Sequence, residues 1–232
     1  KVLDESRSEF VSNVSHELKT PMTSMKVLAD SLVGQHGVPE DLYQEFMRDI
    51  TAEIDRENRI ITDLLTLVKM DKKNADLQIQ HMSINQLLED ILKRLRPIAD
   101  KRNIDLILDS FRPVEADVDE LKFTSAISNL VENAIKYNVD DGWVRVSLDA
   151  DHKFFYVTVA DSGMGIPEDS LSRIFERFYR VDKSHSREIG GTGLGLAITR
   201  STIGMHHGVI KVFSKEGEGT TFSVRVPLSY IP

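Results

Sequence analysis

The segment FVSNVSHELKTP, residues 10–21, carries three side chains that could do chemistry together on one helical turn. His16 has a carboxylate beside it at Glu17, and the hydroxyl of Thr20 lies four residues on, on the same helix face. A neutral imidazole has one nitrogen free to attack an electrophile, and a carboxylate that binds its other N–H strengthens that nucleophile. Adjacent helical residues point about 100° apart, so Glu17 has to reach around the helix or to act only when a kink opens the helix. The alternative interpretation is an ordinary solvated histidine.

The apolar pattern around His16 predicts a bundle helix with this histidine on its outermost side, because apolar residues recur there with heptad spacing. Pro21 lies within the pattern, where it removes one backbone hydrogen bond and collides with the carbonyl of Glu17, at a cost of about 3 kcal/mol or more. The heptad continues beyond Pro21, so we expect a kink that loosens the turn of His16 rather than a helix end. The heptad residues are Val11, Val14, Leu18, Met25, Leu28 and Leu32.

A second helix is expected to follow directly. Residues 34–41, GQHGVPED, contain two glycines, a proline and a capping aspartate, which are typical of a helix-to-helix turn. The apolar spacing that follows is interrupted only by Glu57. One hairpin has little core of its own, so we expect two copies to pair as a four-helix bundle. The apolar positions of this helix are Met47, Ile50, Ile54, Ile61, Leu64 and Val68.

The polar residues 69–78 end this pattern and predict a domain boundary, with the hairpin in residues 1–72 and a second domain in residues 73–232. In the second domain strands mostly follow strands, and helices are kept separate. This order predicts an α+β fold whose mostly antiparallel sheet is covered on one face by helices. The predicted helices are 83–103 and 117–138, and the predicted strands are 104–109, 143–150, 154–161, 208–215 and 220–228.

One predicted helix of the second domain carries polar residues along one side, in NLVENAIKYN, residues 129–138. Asn129, Asn133, Lys136 and Tyr137 share that side. Asparagine is a weak helix former, so two of them are poor choices for a merely solvated face, which is the alternative. Asn, Glu and Lys together could bind Mg²⁺ and phosphate oxygens, because Mg²⁺ takes hard oxygen ligands.

Asp161 ends a predicted strand and is followed by two glycines in VADSGMGIP, residues 159–167. Its carboxylate could accept a buried hydrogen bond, for example from an adenine amino group. Gly163 and Gly165 would let the backbone approach the base. A plain strand-ending turn explains the same segment equally well.

Glycines also come directly before and within the first turn of a predicted helix in GGTGLGLAI, residues 190–198. Free N–H groups and the positive end of the helix dipole could bind phosphate there. The segment is not a Walker loop, since no Gly-Lys-Ser/Thr follows, and a polar loop, expected to be a mobile lid, replaces the strand of a dinucleotide fingerprint. EGEGTTF, residues 216–222, is by itself a glycine turn entering a strand.

Composition excludes several other functions. The 232 residues, 41% of them hydrophobic, can bury a real core, and the absence of cysteine excludes disulfides, thiolate nucleophiles and zinc–thiolate sites. A net charge of -8 argues against a nucleic-acid partner, whose binding needs a basic surface. No apolar run approaches the roughly 20 residues of a membrane span, so we expect no membrane contact by this fragment.

Taken in order, six segments resemble the sequence boxes of sensor histidine kinases of two-component signalling. SHELKTP resembles the H box, NLVENAIKYN the N box, DSGMGIP the G1 box, IFERFYR the F box, GTGLGLAI the G2 box and EGEGTTF a G3-like element. The resemblance covers nearly the whole chain. It implies a dimerisation and phosphotransfer hairpin followed by an ATP-binding α/β sandwich of the Bergerat type, shared with gyrase, Hsp90 and MutL.

The resemblance also implies residue roles. His16 is expected to be the phosphoacceptor, Glu17 the general base, and Thr20 the residue that orients water when the phosphorylated partner is dephosphorylated. In the second domain the implied roles are Mg²⁺ ligation by Asn133, phosphate contact by Lys136 and Arg180, packing on the nucleotide by Tyr137, adenine recognition by Asp161 and lid packing by Phe175 and Phe178. The remaining implied nucleotide contacts are Asn129, Gly163, Gly165, Ile166, Gly191, Thr192, Gly193, Leu194, Gly195 and Thr221.

The implied activity is autophosphorylation of His16 from ATP and Mg²⁺, transfer to an aspartate of a separate response regulator, and dephosphorylation of that regulator by the same homodimer. The fragment is expected to be cytoplasmic and to follow a membrane-anchored sensor, and the second domain is expected to swing on residues 69–78. Two rivals stay open: an ATPase without phosphotransfer, and a dimer scaffold without catalysis. In MHHGVI, His207 replaces a family glycine, which predicts modest strain if that backbone is left-handed.

Overall fold

A computed structural model of the chain describes residues 2–33, 37–70, 77–181 and 191–231. Two long helices come first, α1 at Val2–Val33 and α2 at Glu40–Met70, and they pack against each other as a hairpin. Helix α1 continues through Pro21, which is buried, as the heptad predicts. Helix α2 begins at Glu40, so Asp41 lies in its first turn instead of capping it. Residues 34–36 of the predicted turn lie outside the described residues.

Helix α2 carries two apolar stripes that face different surroundings. Ile60 and Leu67, 0% and 2% exposed, lie on the stripe that this chain buries by itself. Most of the stripe that the periodicity singled out is exposed in the single chain, since Ile54 and Val68 keep 45% and 50% of their surface. Leu64 is an exception, because it packs against the cluster that contains Leu67. The heptad therefore describes an outward face, and covering it requires apolar surface from another molecule.

The second domain contains two sheets and four helices within the described residues. The predicted boundary between residues 72 and 73 falls in residues 71–76, outside the described residues. The elements are β1 (Ile79–Ser83), α3 (Ile84–Asp100), β2 (Asp105–Ser110), β3 (Glu115–Asp119), α4 (Glu120–Lys136), β4 (Trp143–Ala150), β5 (Phe154–Asp161), α5 (Glu168–Leu171), α6 (Gly195–Met205), β6 (Val209–Lys215) and β7 (Gly219–Pro227).

The larger sheet has the strand order β2-β4-β5-β7-β6, with β2 parallel to β4 and every other pair antiparallel. The predicted α+β fold with a mostly antiparallel sheet is therefore confirmed. A small antiparallel sheet of β1 and β3 was not predicted. The prediction of a helix from residue 117 is wrong at its start, because residues 117–119 pair with β1 and Asp119 caps α4 by accepting the N–H of Lys122 at 3.0 Å.

The core lies between one face of the larger sheet and helices α3, α4 and α6. Alternate residues of the central strands, such as Val146 and Val157, are fully buried, and their neighbours face the other side of the sheet. Phe123 of α4 packs edge-on against Phe155 of β5, with ring centroids 5.6 Å apart. This packing fixes α4 on the sheet and thereby fixes the direction of its polar side.

The turn after α6 has the left-handed backbone that the sequence raised as a possibility. His207 has a φ of 56°, and its ring stacks on Tyr230 at 5.1 Å between centroids. His206 beside it is buried, accepts the N–H of Asp119 at 3.0 Å through Nε2, and bonds the carbonyl of Thr202 through Nδ1. Each histidine thus ties the end of α6 to another segment.

Candidate functional site

A cavity of about 860 Å³ lies between α4, the end of β5, the segment after α5 and the start of α6, and α2 closes one side. Segments far apart in sequence meet there, because α4 and α6 pack on the same face of the sheet. Twelve of the predicted nucleotide-binding residues line it: Asn129, Asn133, Lys136, Tyr137, Asp161, Gly165, Ile166, Arg180, Gly191, Thr192, Gly193 and Gly195.

Asp161 forms the buried end of the cavity. Its Oδ1 accepts the backbone N–H groups of Gly163 at 2.8 Å and Thr220 at 3.2 Å. Among the described residues no donor bonds to Oδ2, so that oxygen can accept from a ligand. Burial raises the pKa of Asp161, and the two N–H donors oppose that rise. A ligand N–H in the cavity would favour the charged carboxylate further.

Gly165 shows how closely the backbone packs beside Asp161. It has a φ of 71°, and a Cβ at this position would collide with the carbonyl oxygen of Lys215. Its neighbour Ile166 is fixed by donating its N–H to Ser214 Oγ at 2.8 Å. A side chain at Gly165 would therefore push the DSGMGIP segment away from the β6–β7 turn and deform the cavity wall.

The polar side of α4 faces the cavity, but its two asparagines differ. Asn129 donates its amide to Thr199 of α6 at 2.9 Å, and a Cβ on Gly195 would collide with its side chain. Asn129 therefore fixes the start of α6. Asn133 makes no side-chain hydrogen bond to another described residue, so its amide oxygen can ligate a cation.

The donor chemistry of the cavity fits one Mg²⁺ held jointly by protein and phosphate. Within the described residues, no group of three or more His, Cys, Asp or Glu side chains could hold a metal ion. Mg²⁺ commonly takes one or two protein oxygens and fills its remaining positions with phosphate oxygens and waters. Asn133, which lines the cavity and carries an amide oxygen, suits that arrangement.

Tyr137 and Arg180 line the same part of the cavity as Gly191. A Cβ at Gly191 would lie 3.4 Å from the Tyr137 hydroxyl, so this ring borders the glycine-rich segment. Burial raises the pKa of Tyr137, and the positive charge of Arg180 opposes that rise. The phenol therefore stays neutral, and a guanidinium stands close to it.

The glycine-rich segment is fastened to the segment after α5. Phe178 donates its backbone N–H to the carbonyl of Gly193 at 2.9 Å and packs against an apolar cluster that contains the fully buried Leu194. Phe175 packs edge-on against Phe222. The lid, residues 182–190, lies outside the described residues, so the packing of Phe175 and Phe178 on it stays a prediction.

Three predicted contacts do not line the cavity. Gly163 is packed against the backbone of Tyr137, and Leu194 points into the apolar cluster. Thr221 is also absent from the lining, whereas its neighbour Thr220 lines the cavity and bonds Asp161. Because successive strand residues point to opposite faces, a shift of one residue decides which threonine contacts the ligand.

The sequence missed two residues from the hairpin. Arg59 and Asp63 of α2 line the cavity, and Asp63 Oδ2 accepts the hydroxyl hydrogen of Thr192 at 2.8 Å. Leu67, one turn further, packs against Leu194. No local motif marks these residues, because their role arises only where the two domains touch.

His16 and Glu17 lie in α1, but their side chains fall outside the described ones, so the predicted exposure of His16 is not observed directly. Thr20 is exposed, as are Ser15 and Lys19 around it. His16 precedes the end of α1 at Val33 by as many residues as Glu57 follows the start of α2 at Glu40. The two positions therefore lie at a similar distance from the turn, measured along the hairpin axis. Arg59, on the cavity wall, is only about 3 Å further along the helix axis.

Models of known protein families match both the hairpin and the α/β domain. The His Kinase A (phospho-acceptor) domain model matches residues 6–73, and the model described as Histidine kinase-, DNA gyrase B-, and HSP90-like ATPase matches residues 118–230. None of the described helices is long and apolar enough to cross a bilayer.

The chain is similar to curated proteins over almost its full length. Sensor histidine kinase WalK of Bacillus subtilis is 35% identical over 228 residues, which are 97% of this chain and 37% of that protein. Sensor-like histidine kinase SenX3 of Mycolicibacterium smegmatis is 35% identical over 225 residues, 97% of this chain and 58% of that protein. The chain thus spans less than two thirds of either relative.

Among solved structures, histidine kinase ThkA in complex with response regulator protein TrrA superposes with a TM-score of 0.78. The sequences are 24% identical, and the match covers 95% of this chain and 61% of that one. The arrangement of a helical hairpin followed by an α/β domain is therefore a known fold.

Proposed function

Because the chain belongs to the sensor histidine kinases of two-component signalling, we propose that it phosphorylates its own His16 from ATP and passes the phosphoryl group to an aspartate of a response regulator. The observation that carries this proposal is the cavity. It joins a buried acceptor at Asp161, the polar side of α4 and the glycine-rich start of α6.

The adenine end of ATP is assigned to Asp161, whose Oδ2 accepts the exocyclic amino group. Both hydrogen bonds from the backbone reach the other oxygen, so the carboxylate is already oriented. Ile166 and Tyr137 on the cavity wall supply flat or apolar surface for the base and ribose.

The phosphate end is assigned to the N-terminus of α6, together with Lys136 and Arg180. Free N–H groups and the positive end of the helix dipole favour an anion at this helix start. Asn133 would ligate Mg²⁺, which when bound neutralises phosphate charge. Lys136 and Arg180 orient the triphosphate by charge-assisted hydrogen bonds.

The transfer step uses the hairpin. One ring nitrogen of His16 forms a bond to the γ-phosphorus while the bond from that phosphorus to the bridging oxygen breaks, and ADP leaves. Glu17 takes the proton from the other ring nitrogen. An aspartate carboxylate of the regulator then attacks the same phosphorus, and the imidazole leaves neutral after regaining its proton.

We further propose that the hairpin dephosphorylates the regulator, with Thr20 orienting the attacking water. Thr20 is exposed on the same helix face as His16, one turn away. A regulator docked over His16 would therefore bring its phosphoryl group within reach of the Thr20 hydroxyl. No nucleic acid takes part.

We also propose a homodimer built from two hairpins. The exposed stripe of α2, with Ile54 and Val68 about half exposed, supports this assembly because an apolar face of that size needs a partner. The outer side of α1, where His16 is expected, would stay outside the four-helix bundle and accessible to the regulator.

Incubation with ATP labelled at the γ-phosphate tests the proposal. We expect the protein to acquire phosphate that is labile in acid and stable in alkali, as a phosphoramidate is, and His16→Ala to abolish it. His152→Ala, at an exposed position of the second domain, is the matched control and keeps full labelling. Hydrolysis of ATP without labelled protein would instead support an ATPase, and no nucleotide binding would support a scaffold.

A further inference from the structure

The hairpin contributes a carboxylate to a cavity whose other polar groups suit phosphate. Asp63 Oδ2 accepts the hydroxyl hydrogen of Thr192 at 2.8 Å. The same hydroxyl oxygen accepts the N–H of Leu194 at 3.3 Å, so Thr192 also organises the segment before α6. Asp63 therefore bonds directly to the segment before α6, where the proposed function places the phosphates of ATP.

Asp63 also lies within range of two cations. Burial raises the pKa of its carboxyl, while the Thr192 hydrogen bond and the positive charges of Arg59 and Lys136 oppose that rise. A hydroxyl donor, a guanidinium and an ammonium are the partners that a phosphate oxygen takes in proteins. The carboxylate thus has the surroundings of a phosphate oxygen.

An apolar contact reinforces the same junction. Leu67, one turn beyond Asp63, is 2% exposed and packs in a cluster with Leu194 and Ala197. Leu194 follows Thr192 by two residues, so one short segment carries both the polar and the apolar contact with α2. Separation of the domains would break both contacts together.

We propose that Asp63 competes with the triphosphate of ATP for Thr192 and Lys136, so that docking of the second domain on α2 and binding of nucleotide oppose each other. This proposal rests on the proposed function. The Thr192 hydroxyl has one hydrogen, which it donates to Asp63 and cannot donate to a phosphate at the same time. Two anions at close range also raise each other's free energy. Reciprocity then requires ATP to weaken the contact with α2 as much as that contact weakens ATP binding.

The competition between Asp63 and ATP would set the order of events in phosphotransfer. ATP entering the cavity displaces Asp63 from Thr192 and frees the second domain from α2. A domain released in this way can carry its bound nucleotide toward His16. Without that competition, the junction at Leu67 and Asp63 would hold the domain in one place whether or not nucleotide is bound.

Asp63→Asn tests the proposal, because it removes the charge and keeps the shape and a hydrogen-bond acceptor for Thr192. Titration calorimetry with ATP and Mg²⁺ should give a Kd about tenfold lower than that of the parent, within the usual range of coupling between sites. Asp55→Asn, two turns earlier on α2 and exposed, is the matched control and should leave the Kd unchanged. An unchanged or higher Kd for Asp63→Asn overturns the proposal.

A distance measurement gives a second readout that is independent of activity. The chain has no cysteine, so spin labels at Asn58→Cys and Lys153→Cys report the separation of the two domains without background. The non-hydrolysable analogue AMPPNP should broaden or lengthen that distance in the parent, and Asp63→Asn should shift it partly without nucleotide. If the parent binds ATP but the distance never changes, the competition is wrong; if the parent binds no ATP, the proposed function fails first.

Discussion

The helical hairpin and the α/β domain differ in how much of their apolar surface a single chain buries. The α/β domain buries its own core, with Phe155 and Val157 fully inaccessible, and assembles its cavity from its own segments apart from one wall. The hairpin leaves Ile54 and Val68 about half exposed, and the proposed phosphoacceptor His16 lies in its first helix. One region thus encloses most of a cavity by itself, whereas the function proposed for the other region requires contact with partners.

This difference assigns separate kinds of chemistry to the two regions. Binding a nucleotide requires fixed donors and acceptors, which a packed domain provides. The proposed phosphoryl transfer requires access for a nucleotide from one side and a regulator from another, which a helix exposed at Ser15, Lys19 and Thr20 provides. Damage in one region should therefore leave the other function measurable.

The largest effect is expected on ATP binding in the cavity of the α/β domain, from Asp161→Asn. The two backbone N–H groups would keep the amide oxygen facing them, which turns the amide NH₂ toward the adenine amino group and sets donor against donor. Because a hydrogen bond to a charged group contributes about 1.5–3 kcal/mol, ATP affinity should fall about 100-fold. Calorimetry checks this, with the exposed Asp169→Asn as control. Unaltered affinity would remove Asp161 from the site.

The matching change in the hairpin is Ile61→Lys, on the exposed stripe of α2, where the side chain is 42% exposed in the single chain. A charge in the proposed dimer interface is costly to bury, so the dimer should dissociate about 30-fold more readily. ATP affinity should not change. Light scattering measures the mass, and Val139→Lys, 49% exposed on the other domain, should stay dimeric. A dimeric Ile61→Lys would show that this stripe is not the interface.

A smaller and more selective effect is expected from Thr20→Ala. If Thr20 orients water, the variant should dephosphorylate the regulator about tenfold more slowly while its autophosphorylation stays nearly intact. Thr23→Ala, exposed three residues further along α1, removes a hydroxyl that bonds the carbonyl of Lys19 and should affect neither rate. Equal loss of both activities in Thr20→Ala would contradict the division of labour.

The smallest expected effect is a pH dependence of stability in the α/β domain. Burial lowers the pKa of His206 below its ordinary value of 6.5. Below pH 6.5 the unfolded chain binds a proton that the folded chain resists, so the stabilisation present above pH 6.5 is lost as pH falls toward the folded-state pKa. Denaturant unfolding at pH 8, 6.5 and 5 should show a shallower pH dependence of the unfolding free energy in His206→Gln than in the parent. His152→Gln, which is exposed, should follow the parent, and an unaltered slope in His206→Gln would exclude this role.

Local patterns were enough to predict much of the α/β domain. Asp161 and its two glycines form a site within one turn, and the alternation of Val144, Val146 and Leu148 marks a strand without reference to any neighbour. The small sheet was not predicted because β3, Glu115–Asp119, contains three acidic residues, a composition that is typical of a polar loop. Its pairing with β1 depends on a partner far away in the chain.

Contacts that arise only from packing could not be predicted. Asp63 is one polar residue among many on α2, and nothing around it in sequence indicates that Thr192 will meet it. The choice between Thr220 and Thr221 depends on the exact register of β7 against β5, where Ala160 pairs with Thr221. In the same way, the stripe of Ile60 and Leu67 becomes distinguishable from that of Ile54 and Ile61 only once neighbouring elements are in place.

A single-turnover comparison of ADP formation and protein phosphorylation tests most directly whether the two regions divide the reaction. The parent should form one ADP for each phosphohistidine. His16→Ala should form neither yet bind ATP with the parent's Kd, whereas Asn133→Ala should form neither and remain dimeric by light scattering. Continued ADP formation by His16→Ala would contradict the account, because it would show that the α/β domain turns over ATP without the hairpin.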